Sequence, residues 1–169
     1  MIIEERVERS QYVKLITWIV SFIILMAGIV FPVLILWVNM MSKVIGASVL
    51  CLIFFTLIFT VAYQPRKLIL SETHIIMERI LGQVYISYSD ITDISLYHRE
   101  NVAEIRIFGI GGLGGYIGKF YNSKIGFYTA YVGDYSQAFL IKINNREKYV
   151  MSCRHAEKIV EEVKSRLKQ

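Results

Sequence analysis

Charge is absent from two long stretches of this chain. No Asp, Glu, Lys, Arg or His occurs in Leu15–Val38 or in Val44–Tyr63, runs of 24 and 20 residues. Cysteine and proline are scarce, with two of each, and there are three histidines. Cys51 lies inside the second run and Cys153 far beyond it, too separated in environment to pair, so no disulfide framework is implied. His74, His98 and His155 stand at no metal-ligand spacing from a cysteine or from one another, which argues against a metal site. No Ser–His–Asp set can be drawn, and Cys153 is near His155 in sequence alone. A non-enzymatic protein without a cofactor is therefore expected. The two runs also lack the ionisable groups that an ion or proton pathway needs.

As helices the runs would reach roughly 36 and 30 Å at ~1.5 Å per residue, enough to cross a hydrocarbon layer of ~30 Å. The leading segment carries Glu4, Glu5 and Glu8 beside Arg6, Arg9 and Lys14, and no small-x-small site precedes Asn39. The first run is therefore expected to stay with the chain as a span rather than leave as a cleaved leader. The short connection Asn39–Lys43 makes the two helices antiparallel neighbours. Arg6, Arg9 and Lys14 precede the first run, Arg66 and Lys67 follow the second, and only Lys43 lies between. That asymmetry is expected to place both termini in the cytoplasm and the connection outside. Trp18, Trp37 and Tyr63 fall near run ends, where interfacial aromatics are favoured. The expected organisation is a cytoplasmic segment over 1–14, a two-helix transmembrane hairpin over 15–63 and a cytoplasmic domain over 64–169.

From Gln64 onward there are 15 Lys or Arg against 11 Asp or Glu, a net of +4. That balance suits the negative inner leaflet, where each nearby cation is worth about 1 kcal/mol. No basic stripe with interleaved aromatics appears, which argues against nucleic acid. Apolar residues alternate through Lys67–Leu70, His74–Arg79, Val84–Tyr88 and Ile91–His98, the last placing Ile94 and Leu96 inward. Ala103, Ile105 and Ile107 alternate with Glu104, Arg106 and Phe108, which predicts a half-buried strand with the first set inside. Phe127–Val132, Phe139–Ile143 and Tyr149–Ser152 follow, with a tight turn at Asn144-Asn145-Arg146. The period then changes: Ile159, Val160, Val163 and Leu167 share one face of an amphipathic helix.

The order resembles a pleckstrin-homology (PH)-like domain of the bacterial membrane-anchored kind. The resemblance is carried by Val84–Ile94, by the glycine-rich Gly109–Gly118, by Gly126–Val132 and by Tyr149–Ser152 before the terminal helix. It implies an antiparallel barrel or sandwich of about seven strands capped by one C-terminal helix, behind two transmembrane helices. It also implies an interaction module and carries over no catalytic set. The loop between the first two strands of that domain, Ser71-Glu72-Thr73, is acidic or neutral, which argues against specific phosphoinositide recognition.

Gly109-Ile110-Gly111-Gly112-Leu113-Gly114 is a literal G-x-G-x-x-G, but no amphipathic helix follows to hold a pyrophosphate. Gly118-Lys119 fails as a P-loop, with Leu113 and Phe120 where glycine and Ser/Thr are needed. The segment is expected instead to connect strands, either packed internally or in contact with a partner. Its candidate contact residues are Gly111, Gly112, Leu113, Gly114 and Tyr116, with Lys119, Phe120, Tyr121 and Lys124 beyond them. Arg66 and Lys67 are expected as juxtamembrane anchors. The expected partners are the lipid bilayer and an unidentified membrane or cytoplasmic protein, including a second copy of the chain. The alternatives are a phosphorylated-ligand-binding enzyme or subunit using the glycine-rich loop, and a sensor of anionic lipid surfaces acting through Lys119 and Lys124.

Overall fold

In a computed structural model, residues 2–35, 39–99, 104–144 and 146–167 are described, with the side chains of 31–35 left outside that description. Trp37, Ala103 and Asn145 lie outside the described residues. The chain opens on a short strand, β1 (Ile3–Arg6), followed by two long helices, α1 (Gln11–Ile35) and α2 (Met40–Ala62). Ser10 caps α1 by accepting the Val13 amide (3.2 Å). Asn39 caps α2 by accepting the Ser42 amide (2.9 Å), so Lys43 belongs to the first turn of α2. The expected connection over Asn39–Lys43 is thereby corrected, because the Asn39 side chain starts the helix at Met40. Both helices are long and apolar enough to cross a membrane, and only 6% of each apolar window is buried. Trp18, Leu25, Phe55 and Ile58 all stand exposed. A helix apolar on every side with no protein over it is suited to lipid.

The remaining elements are β2 (Pro65–Leu70), β3 (His74–Arg79), β4 (Gln83–Ser87), β5 (Ile91–Tyr97), β6 (Glu104–Gly111), β7 (Tyr116–Asn122), β8 (Gly126–Val132), β9 (Ala138–Ile143), β10 (Lys148–Ser152) and α3 (Ala156–Leu167). One sheet runs β1-β2-β3-β4 and a second runs β5-β9-β10-β8-β7-β6. All pairings are antiparallel except β8 with β10, and neither sheet closes on itself. The architecture of two apolar helices, a β-sheet domain and a closing helix is the expected one. What replaces the barrel is a pair of open sheets.

The main core lies between the sheets and under α3. Leu68, Leu70, Ile75 and Met77 meet Ile94, Phe139, Ile141 and Met151, with Ile159, Val160 and Val163 of α3 packed in. Leu96 is more than a third exposed, contrary to expectation, because β5 is the outermost strand of its sheet and Leu96 lies at the rim. Leu167 is likewise exposed at the end of α3. A second core fills the concave side of the six-stranded sheet, which curls until Asn122 Nδ2 on β7 donates to the Tyr97 hydroxyl on β5 (3.0 Å).

Two elements depart from the sequence reading. The first residues form β1, which pairs with β2 in the register Ile3↔Leu70 to Arg6↔Lys67. The glycine-rich segment, expected as a connection, is instead two strands joined by a turn over 112–115. Its signal was hidden because Gly109 and Gly118 face one another at positive φ, and an added Cβ on either would overlap the opposite backbone carbonyl.

Gly118→Ala should therefore destabilise the domain by about 2–3 kcal/mol, through strain at positive φ and collision with the Phe108 carbonyl. Thermal unfolding of the detergent-solubilised chain measures this. A variant as stable as the parent would refute the close strand approach.

Candidate functional site

Residues directly opposite across a sheet point to the same side, so strand register sorts β6, β7 and β8 into two faces. On one face Ile105, Tyr121 and Phe127 form a row, and Phe108, Lys119 and Thr129 form the next. Phe108 is 72% exposed, Phe127 69% and Ile105 56%. The rings of Tyr121 and Phe127 meet edge to face at 5.0 Å. Ile107, the extra residue where the pairing register shifts, is also exposed. Nearer the turn, Ile110 and Ile117 continue this face toward Tyr131 and Met151, and Ile117 is already buried. The cover supplied by the first sheet and α3 thus stops partway along the hairpin. β6 is the last strand of its sheet, so its outer edge carries no pairing among the described residues.

The other face is the concave one. Tyr116 and Tyr135 lie 4.8 Å apart, and Phe120 stacks on Tyr128 at 5.8 Å. Arg99 spans the Tyr116 and Tyr135 rings at 5.3 and 4.7 Å and pairs with the Glu104 carboxylate at 2.6 Å. Burial raises the Tyr135 and Tyr97 phenols, with the Glu104 charge adding to both. This inverts the expected pattern of β6, with the Glu104 side chain inside and Ile105 and Ile107 outside. The inversion is physical: Arg99 pairs with one oxygen of the carboxylate and the Tyr135 hydroxyl donates to the other (3.3 Å), so the charge lies inside the curl beside an opposite charge. Alternation alone cannot report such a partner.

The turn of the hairpin seats on the helix feet. The Gly112 amide donates to Gly115 O (2.9 Å) and the Gly114 amide to Thr17 Oγ1 (2.9 Å). Gln64 sits beside Gly114, where an added Cβ would overlap its side chain, and accepts from Arg9 Nη2 (2.5 Å). Nearby, Ser10 N donates to Gly133 O and Leu81 N to Ala62 O. Two amides that a phosphate cradle would use are thus already committed within the protein.

The expected contact residues accordingly separate. Gly112, Gly114 and Phe120 are buried, while Leu113, Tyr116 and Tyr121 are half-buried. Gly111, Lys119 and Lys124 are exposed. Only Lys119 and Tyr121 share the uncovered face, beside Ile105, Phe108 and Phe127, which the sequence reading did not select. Arg66 is exposed after α2, and Lys67 pairs with Glu4 (3.3 Å). Cys153 is buried and its thiol is pushed up to about 12 by desolvation, while His155 turns to Glu5 (3.0 Å). Among the described residues no group of His, Cys, Asp or Glu is placed to hold a metal ion.

Residues 66–167 match the family model described as bacterial PH domain. The chain belongs to that family, and its two long apolar helices together with this domain fit a membrane-anchored PH module. Comparison with curated proteins and with solved structures gives no match.

Two outcomes follow from this geometry. Arg99→Ala should cost about 1–3 kcal/mol, because Glu104 is left desolvated with water only partly replacing its partner. Thermal unfolding reports it, and Arg99→Lys should recover part of the loss. Cys153 should resist alkylation in the folded chain at pH 8, since its thiol stays protonated until about 12. By linkage, its contribution is whole below the ordinary thiol value of 9.0 and is lost as pH rises toward about 12.

Proposed function

We propose that the chain is a two-span protein of a bacterial cytoplasmic membrane, that its PH domain faces the cytosol, and that it acts by binding a second copy of itself. The excess of Lys and Arg outside the short interhelical connection supports that orientation. The observation that carries the association is the uncovered apolar face of the β6–β8 strands with Phe108 and Phe127 standing free. A soluble domain rarely leaves such a face bare unless something covers it.

A second copy fits the face better than lipid does. The row of Ile105 and Phe127 lies about six residues along the hairpin from the turn that touches α1, about 20 Å of strand at ~3.3 Å per residue. Every copy anchored in the same bilayer carries this face at the same height. Two faces then meet about a two-fold axis along the membrane normal, which keeps both anchors in one bilayer. Confinement to two dimensions raises effective concentration, so a modest apolar contact suffices. Lys119 stands on the central strand of the patch between Phe108 and Thr129, where its apolar stem extends the surface and its ammonium reaches water.

Cysteine cross-linking in membranes tests this. With Cys51→Ala as background, Phe127→Cys should give a disulfide dimer under mild oxidation, and Lys158→Cys on the exposed side of α3 should not. Phe108→Glu with Phe127→Glu should lower dimer content about 10-fold or more. Equal cross-linking at both positions, or a dimer fraction indifferent to the glutamates, would overturn the reading.

A further inference from the structure

At the foot of the helices three strands bring cations together. Arg6 ends β1 and stands opposite Lys67, Arg66 sits at the register shift of β2, and Arg79 ends β3 opposite Pro65. They border a cavity of about 590 Å³ lined by Arg6, Arg66, Lys67, Glu78, Arg79 and Ile80. Four cations face one carboxylate there. Glu4 engages Lys67, whereas Arg6, Arg66 and Arg79 have no carboxylate partner among the described residues. Like charges on neighbouring strands repel, so an arrangement of this kind is suited to a counter-anion.

The backbone beneath these side chains is held. Val7 N donates to Arg66 O and Arg154 N to Arg6 O, both at 2.9 Å. The Arg79 guanidinium lies over the Tyr63 and Tyr131 rings at 5.1 and 5.5 Å, and its Nε is buried with no hydrogen-bond partner. With Nε covered and the guanidinium held over two rings, Arg79 meets the cavity as a fixed positive charge suited to a phosphate oxygen.

Position identifies the source of the phosphate. The amide of Leu81, in the β3–β4 turn, donates to Ala62 O at the end of α2 (2.7 Å), and Ile80 and Leu81 are exposed beside it. Apolar residues bare at a helix foot suit the acyl boundary, which sets the arginines at the depth of lipid phosphates. The site lies at the opposite end of β2 and β3 from the Ser71–Thr73 loop. We propose that Arg6, Arg66 and Arg79 cradle the phosphate of an anionic glycerophospholipid. The assignment rests on reading α1 and α2 as spans.

The test uses the full chain in nanodiscs of phosphatidylcholine with and without phosphatidylglycerol, reading thermal midpoint and the phosphatidylglycerol retained after detergent washing. The parent should be stabilised by phosphatidylglycerol, and each of Arg6→Gln, Arg66→Gln and Arg79→Gln should lower its retention about 5-fold. Lys158→Gln should change nothing. Arg6→Gln with Arg66→Gln alters only exposed side chains, so it keeps the test valid if Arg79→Gln disturbs the fold. Incorporation into discs with retention equal in parent and double variant would overturn the site while leaving the anchor intact. Recovery of the chain without detergent would instead overturn the anchor. Stabilisation of the parent by inorganic phosphate equal to that by phosphatidylglycerol would overturn the lipid assignment.

Discussion

The pairing of β1 with β2 is the constraint on which the rest of the molecule depends. Two helices, each long enough to cross a bilayer, leave the sheet at Arg6 and return at Pro65. The chain therefore departs toward α1 and returns from α2 on adjacent strands, about 4.8 Å between backbones. Closing so long an excursion costs chain entropy, and the antiparallel helix pair offsets that cost by bringing its own ends together. The Val7–Arg66, Ser10–Gly133 and Leu81–Ala62 hydrogen bonds then tie three parts of the domain to the same foot. The domain and the helices meet as a joint with several backbone ties rather than through a linker.

That joint explains the glycine-rich hairpin. Its turn must approach α1 closely enough for the Gly114 amide to reach Thr17, and Gln64 occupies the place of any side chain at Gly114. Glycine serves here to permit contact between backbone and neighbour, with no phosphate involved. The same hairpin carries the open edge of the second sheet away from the foot. One set of physical demands therefore produces both a rigid attachment and an exposed surface.

The second sheet places charge inside and apolar surface outside along β6. The inner arrangement is stabilised by the Arg99–Glu104 ion pair, by the Tyr135 hydroxyl and by Arg99 lying over the Tyr135 ring within an aromatic curl. The outer arrangement, with Ile105, Phe108 and Phe127 bare, has no such compensation among the described residues. Membership of the bacterial PH domain family accounts for the fold of residues 66–167. The uncovered face is a property of these particular side chains.

Much of this organisation is legible in the sequence because it is local. A run without charge, a period of two and a period of 3.6 each report on neighbouring residues alone, and the helices, most strands and α3 follow from them. Gly109 to Gly118 carries no such period, since a strand built on paired glycines has no alternating side chains to read. The side of β6 that faces inward is not legible in its alternation, because a buried Glu104 depends on Arg99, whose approach is set by the curl of the sheet. The membership of Ile3–Arg6 in a sheet, and the convergence of Arg6, Arg66 and Arg79, join residues dozens of positions apart. The two apolar helices, most of the strands and α3 follow from the order of residues alone, because periodicity and hydropathy are local. Which faces remain bare and which cations converge emerges in the folded chain, because long-range strand pairing sets those neighbours.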